Sequence, residues 1–143
     1  MNVLFDTSFL VQLDRENREA IDLGKNIFDK GYQTYISVVT VTEMMTGAKL
    51  VQNSQEANKS VLSILNLFDW INVDDKIAFR ASEIMAFSFS NKKIIQFQDV
   101  LIAATAIEIG AQYLITENKK DFVLIPTLKD KIFTIDELSA KLD

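Results

Sequence analysis

Four carboxylates stand where predicted secondary-structure elements begin or end: Asp6, Glu43, Asp99 and Asp121. The chain contains no histidine and no cysteine, so any catalysis must depend on carboxylates, hydroxyls, lysines or arginines. Like charges brought together raise one another's pKa unless a cation lies between them. Carboxylate oxygens are the ligands that hard cations such as Mg²⁺ and Mn²⁺ prefer. The four acids therefore predict a divalent-metal site whose ions could activate water for attack on a phosphate.

Asp99 enters an apolar segment rich in small residues, which is predicted to be a helix from Gln98 or Asp99 to Gly110. On a helical wheel its side chain lies with Ile102 and Ala106, away from the polar stripe of the segment. Asp before an apolar run is also a common helix cap. Buried carboxylates are rare unless they are paired or bound to metal. Asp99 is thus interpreted either as a cap or as a metal ligand, and both roles together are compatible.

The other three acids have simple structural alternatives. Asp6 ends an apolar run, residues 2–5, that is typical of a buried strand, and the carboxyl ends of parallel strands are where α/β proteins bind ligands. Asp6 could equally cap the helix that follows it. A lone Glu43 on a helix is usually solvated. Asp121 lies among polar residues after the fourth predicted strand, where it is a candidate for the same edge of the sheet.

Strands that alternate with helical segments must position these acids. Four glycines and one proline among 143 residues indicate long regular elements with short connections. The alternation predicts a single domain, residues 1–143, with an α/β fold and a largely parallel sheet. The β-branched run at residues 37–42 favours a strand by propensity, whereas the residues from Glu43 onward look helical. The predicted strands cover residues 2–5, 34–36, 70–73, 112–115 and 132–135, and the last is followed by a short helix.

Composition limits the partners. With 15 basic and 20 acidic residues the net charge is −5, which makes a general nucleic-acid binder improbable because such binding needs clustered basic residues. Lys92, Lys93, Lys119 and Lys120 are the candidates for local phosphate contacts, although exposed lysines are normally just solvated. No apolar run reaches the length of a membrane span. The first residues lack a basic segment, so we expect no signal peptide, no membrane association and a cytoplasmic location.

The chain resembles PIN domains, specifically the VapC-type toxin ribonucleases of prokaryotic toxin–antitoxin systems. Four stretches carry the resemblance, and together they span essentially the whole chain: VLFDTS at residues 3–8, ISVVTVTEM at 36–44, DVLIAATA at 99–106 and LITENKKDF at 114–122. The resemblance implies a three-layer α/β/α sandwich around a central parallel sheet. It also implies a helix that begins within residues 37–39, against the propensity argument. RNA is the implied substrate, a cognate antitoxin the implied partner, and a homodimer the implied assembly.

The resemblance also implies roles for individual residues. Asp6 and Asp99 look like the main ligands of Mg²⁺ or Mn²⁺. Glu43 is similar to the acid that supports a second ion or positions water, and Asp121 to a fourth acid that often holds metal through water. Two further residues, Thr7 and Asn118, look like groups that lie beside the phosphate or the water. Glu117 departs from the pattern, because such toxins commonly carry a basic residue there; it either adds a ligand or weakens contact with RNA.

Two function classes fit these observations. The first is a metal-dependent endoribonuclease that hydrolyses RNA phosphodiester bonds and is neutralised by an antitoxin. The alternative is a non-catalytic PIN-like module for binding or dimerisation, which the excess of acidic residues favours and the intact set of four acids disfavours. Phosphoryl transfer by an aspartyl nucleophile fits poorly, because Asp6 lacks a second Asp two residues later. The chain contains no P-loop motif either.

Overall fold

A five-stranded parallel sheet is the centre of the computed structural model, which describes residues 1–143. The strand order is β3-β2-β1-β4-β5, and every neighbouring pair is parallel. The strand order reverses around β1, and such switch points are where open α/β sheets bind ligands. The strands are β1 Asn2–Phe5, β2 Gln33–Ser37, β3 Asp69–Ile71, β4 Tyr113–Ile115 and β5 Ile132–Phe133.

Helices cover both faces of the sheet, as the three-layer prediction requires. Successive side chains of a strand point to opposite faces, so Val3 and Phe5 enter one apolar core while Leu4 enters the other. The first core includes side chains of α1, α2, α3, α4 and α8, and the second includes those of α5, α6 and α7. No helix is both long and apolar enough to cross a membrane. The helices are α1 Thr7–Asp14, α2 Arg18–Asp29, α3 Val38–Leu50, α4 Ser54–Leu65, α5 Asp75–Ser90, α6 Phe97–Glu108, α7 Lys119–Phe122 and α8 Ile135–Leu142, with a 3₁₀ turn at Pro126–Leu128.

Several helix ends follow their sequence signals. The Asn17 side chain accepts the backbone N–H of Ala20 at the start of α2, and the Asp74 side chain caps α5 in the same way. Gly31 and Gly110 lie just beyond α2 and α6 with φ of 73° and 63°. Glycine adopts this left-handed conformation without the steric penalty of a side chain.

The strand predicted from propensity at residues 37–42 is wrong. The strand β2 ends at Ser37, and α3 begins at Val38. The buried Ser37 side chain accepts the backbone N–H of Val39, so it caps the helix despite the β-branched residues that follow. Tertiary packing outweighs local propensity here, and the helix start implied by the PIN resemblance is confirmed.

The last strand is shorter than predicted, because its final two residues belong to a helix start. Instead of extending to Ile135, β5 ends at Phe133. Thr134 is the N-cap of α8, and its side-chain oxygen accepts the backbone N–H of Glu137. The helix therefore starts at Ile135, one residue before the predicted start at Asp136.

Candidate active site

Asp6 lies at the carboxyl end of the central strand and is only 5% exposed. Its carboxylate does not cap α1. Instead, Oδ2 accepts hydrogen bonds from the hydroxyls of Thr116, at 2.7 Å, and Ser8, at 3.0 Å. Thr116 directly follows β4, the strand that pairs with β1. Two neighbouring strand ends therefore fix the orientation of one carboxylate.

The second oxygen of this carboxylate is free. Both hydroxyls donate to Oδ2, and Oδ1 accepts no hydrogen bond. No buried side-chain oxygen in the protein lacks a partner, so Oδ1 must reach solvent although Asp6 as a whole is buried. The network thus presents one carboxylate oxygen at the carboxyl-end edge of the sheet, where the strand order reverses; we refer to this region as the cleft.

Glu43 lies across this cleft on α3. The hydroxyl of Thr7, the first residue of α1, donates to Glu43 Oε1 at 2.8 Å and lies 3.0 Å from the hydroxyl of Thr40. Partial burial raises the pKa of Glu43, the hydrogen bond from Thr7 opposes that rise, and the carboxylate of Asp6 adds to it. The charge of Asp6 therefore acts on Glu43, and Thr7 holds Glu43 by a hydrogen bond.

Asp99 lies in the first turn of α6, whose N-cap is Gln96. The cap interpretation of Asp99 is wrong, because the helix begins at Phe97, earlier than predicted, and Asp99 is inside it. The side chain is half-buried. Its pKa is raised from 3.8 to about 6, first by burial and then by the carboxylates of Asp6, Asp121 and Glu43, in that order. The other three predicted acids therefore lie close enough to Asp99 for their charges to act on it.

Asp121 is carried by α7, a helix of four residues. The preceding residue Asn118 is exposed, and its side chain makes no cap to the helix. Its backbone N–H instead donates to the hydroxyl of Thr116 at 2.9 Å. The segment with Asn118 and Asp121 is thus joined through Thr116 to Asp6.

Two residues of this network, Thr116 and Ser8, were not predicted as site residues. Their hydroxyls lie 3.2 Å apart, and Ser8 Oγ also accepts the backbone N–H of Glu117. The only sequence signal was their position in the polar segments that follow two strands. The carboxyl-end rule selects such positions but does not say which hydroxyl will contact which acid.

Glu117 does not join the four acids. Its side-chain Oε1 accepts the backbone N–H of Ile135, the first residue of α8, at 2.8 Å. Among the predicted phosphate-binding lysines, Lys119 pairs with Glu137 at 2.6 Å, whereas Lys92, Lys93 and Lys120 are exposed. The interpretation of Glu117 as an added metal ligand therefore has no geometric support.

The donor chemistry of the cleft fits a hard divalent cation. Its acids supply oxygen donors alone, one of them with a solvent-facing Oδ1, and their charges disfavour ionisation of Asp99. No three carboxylates in the protein are close enough to form a ready-made metal site. Bringing three of them to ligand distance therefore requires side-chain movement.

Comparisons with known proteins agree with this geometry. A model of the PIN domain family matches residues 3–126, so the chain belongs to the PIN domain family. It is 29% identical over 132 residues to Ribonuclease VapC1 of Rickettsia felis, with 90% of this chain and 94% of that protein aligned.

Chains in solved structures also resemble this protein. A toxin–antitoxin complex from Klebsiella pneumoniae contains a chain that is 30% identical, with a TM-score of 0.70 and coverage of 93% of this chain and 97% of that one. VapBC2 of Rickettsia felis, solved with a DNA fragment from its promoter, has a TM-score of 0.84 at 22% identity, with 94% and 98% covered. This second likeness establishes the fold alone.

Proposed function

We propose that the protein is an endoribonuclease of the VapC type, which hydrolyses RNA phosphodiester bonds with the help of Mg²⁺ or Mn²⁺. The observation that carries the proposal is that Asp6, Asp121 and Glu43 all lie close enough to Asp99 for their charges to raise its pKa. The family match and the ribonuclease relative support the reaction class. Asp6 and Asp99 are the proposed main metal ligands, with Glu43 and Asp121 completing the set.

The residues of the cleft have distinct proposed tasks. When bound, a divalent cation supplies charge neutralisation for the phosphate and lowers the pKa of water. Ser8 and Thr116 hold Oδ2 of Asp6, which leaves Oδ1 for the ligand role. Thr7 orients Glu43, which we propose holds the attacking water. Asp99 must be ionised to act as a ligand, so protons compete with the cation, and metal binding is expected to weaken as the pH drops through the metal-free pKa of Asp99, about 6.

RNA cleavage in the presence and absence of EDTA tests this proposal. Asp6→Asn and Asp99→Asn each keep the side-chain volume and remove one carboxylate charge. We expect each to lower kcat at least about 100-fold, which is more than loss of an outer-shell partner typically costs. Cleavage that persists in EDTA and in both variants would contradict the proposal. Absence of both cleavage and Mn²⁺ binding would favour the non-catalytic module instead.

We propose that the partner is a protein antitoxin, whose binding blocks the activity of the cleft. The relatives include a toxin–antitoxin complex, and this chain has an apolar cavity of about 390 Å³ between α1, α2 and α4. Phe5, Phe9 and Phe68 line its inner wall, and Phe28 at its rim is 50% exposed. An amphipathic helix of a partner could bury its apolar face there.

Co-expression with a small protein encoded beside this chain tests the partner. Phe28→Asp should weaken the complex in a pull-down, because it places a charge at the apolar rim. The matched control is Ile94→Asp, at a residue 82% exposed outside the cavity. Equal binding by both variants would place the antitoxin elsewhere.

A homodimer and a cytoplasmic location complete the proposal. Phe79 and Phe89 on α5 are 72% and 63% exposed, which leaves apolar surface for a second copy. Analytical ultracentrifugation of the wild type and of Phe79→Asp measures the assembly, and a monomeric wild type would exclude the dimer. Fluorescence microscopy of a tagged chain measures the location.

A further inference from the structure

The segment that carries Asp121 is tied to the end of the fold by two side chains. Glu117 accepts the backbone N–H of Ile135 at the start of α8, and Lys119 forms an ion pair with Glu137, two residues further along. The Lys119 ammonium lowers the pKa of Glu137, as expected for a hydrogen-bonded ion pair. We refer to these two contacts as the α8 tie.

The same segment is bound to the candidate active site on its other side. The backbone N–H of Glu117 donates to Ser8 Oγ, and that hydroxyl donates to Asp6 Oδ2. The backbone N–H of Asn118 donates to the Thr116 hydroxyl. Glu117 is therefore the residue at which the hydrogen-bond network of Asp6 and the α8 tie meet.

Local structure alone does not fix this segment. The helix α7 has only four residues, and its N-cap residue Asn118 makes no side-chain cap. A helix this short is not stable by itself. Its far end is held by Phe122, which is fully buried in the second core. Its near end continues from β4, where Ile115 and Thr116 are also fully buried, so the polar contacts of residues 117–119 hold the turn between these two anchors.

We propose that Glu117 is a positioning residue for the ribonuclease site, holding the turn between β4 and α7 against α8 and thereby orienting Asn118 and Asp121. This inference rests on the proposed function. The carboxylate suits the task, because a negative charge at the N-terminus of α8 interacts favourably with the helix dipole and satisfies a free N–H. A basic side chain at this position could not accept that hydrogen bond. In this proposal the acid at residue 117 therefore has a structural role and not a role in RNA binding.

The experiment compares Glu117→Ala, Glu117→Gln and the control Glu56→Ala. The glutamine variant keeps the accepting Oε1 and loses the charge, whereas the alanine variant loses both. Glu56 is exposed in the first turn of α4 and makes neither an ion pair nor a side-chain hydrogen bond. Metal-dependent RNA cleavage is measured for each variant as separate kcat and KM values.

Glu117→Ala should lower kcat about 10-fold, the scale seen when a partner that orients a metal ligand is lost. The KM for RNA should change less than about twofold, and Glu117→Gln should stay within about threefold of wild type. Equal loss in the alanine and glutamine variants would contradict the proposal, because the glutamine Oε1 can still accept the Ile135 N–H and should hold the turn. Unchanged kcat in Glu117→Ala would also overturn it.

Hydrogen exchange gives a readout that does not depend on catalysis. In EDTA, Glu117→Ala should speed amide exchange in the peptide covering residues 116–122 at least about fivefold, while the peptide covering α2 stays unchanged. Exchange at wild-type rates would refute the positioning role. The two proposals fail separately. An inactive wild type refutes the ribonuclease activity. An active wild type together with a Glu117→Ala variant of unchanged kcat refutes only the positioning role of Glu117.

Discussion

Asp99→Asn should stabilise the metal-free protein, although it should abolish activity. Burial and three neighbouring carboxylates raise the pKa of Asp99 from 3.8 to about 6. For a group fully shielded from solvent, this pKa difference corresponds to roughly 3 kcal/mol of destabilisation of the folded state at neutral pH. The side chain is half-buried and lies in the first turn of α6, where the helix dipole favours its charge. We therefore expect the variant to gain only about 1 kcal/mol, or about 3 °C in Tm.

The size of this stability difference changes with pH in a defined way. Because the folded-state pKa of Asp99 lies above the unfolded value, protonation favours the folded protein. The stabilisation from protonated Asp99 is complete below about pH 3.8 and is lost as the pH rises through about 6. The stability difference between Asp99→Asn and wild type should therefore fall to about half between pH 7.5 and pH 5.

Chemical denaturation in EDTA at both pH values measures the difference. Asp130→Asn is the matched control, since Asp130 is exposed and makes no ion pair or side-chain hydrogen bond; it should change the free energy of unfolding by less than about 0.5 kcal/mol. Saturating Mn²⁺ should reverse the order, because only the wild type gains binding energy from the cation. A variant that is less stable than wild type at pH 7.5 in EDTA would refute the reasoning.

Three further substitutions test the scaffold around the site. Thr116→Val removes the hydroxyl that donates to Asp6, so it should cost about 1–3 kcal/mol in urea denaturation and lower kcat; a neutral result would mean that the hydroxyl is dispensable. Ser37→Ala removes the cap on the Val39 N–H and should cost about 1 kcal/mol, whereas Ser37→Asp should retain most of the stability; equal losses would argue against capping. Gly110→Ala meets no neighbouring atom but must adopt a φ of 63°, so we expect a loss of about 1 kcal/mol by thermal denaturation, and an unchanged Tm would contradict the strain argument.

The sequence was most informative where neighbouring residues determine the structure. The apolar run before Asp6 predicted β1 correctly, and Asn17 and Gly31 marked both ends of α2. The alternation of such elements was enough to predict a parallel sheet with helices on both faces. The four acids followed from their positions at element ends and from the PIN resemblance, and their metal-binding roles stay predictions.

The errors in the predictions occurred where contacts between residues far apart in the sequence determine the structure. The β-branched residues after Ser37 favour a strand locally, but the cap and the packing of Met44 and Ala48 into the first core make them a helix. The bonds from Thr116 to Asp6 and from Glu117 to Ile135 join residues separated by 110 and 18 positions. Periodicity and propensity act over a few residues and carry no information on such pairs.

The central position of the first strand has a consequence for the order in which the protein becomes active during its synthesis. Of the two strands that pair with β1, β2 is translated early, but β4 ends only at Ile115. A ribosome must therefore translate the chain through Asp121 before Asp6 can meet Thr116 and Asp121 can join the cleft. Long-range pairing of this kind is slow to form. A nascent chain that stops short of β4 carries three of the four acids but no assembled site, so a cell that makes this protein meets an assembled site only after residue 121 has been translated.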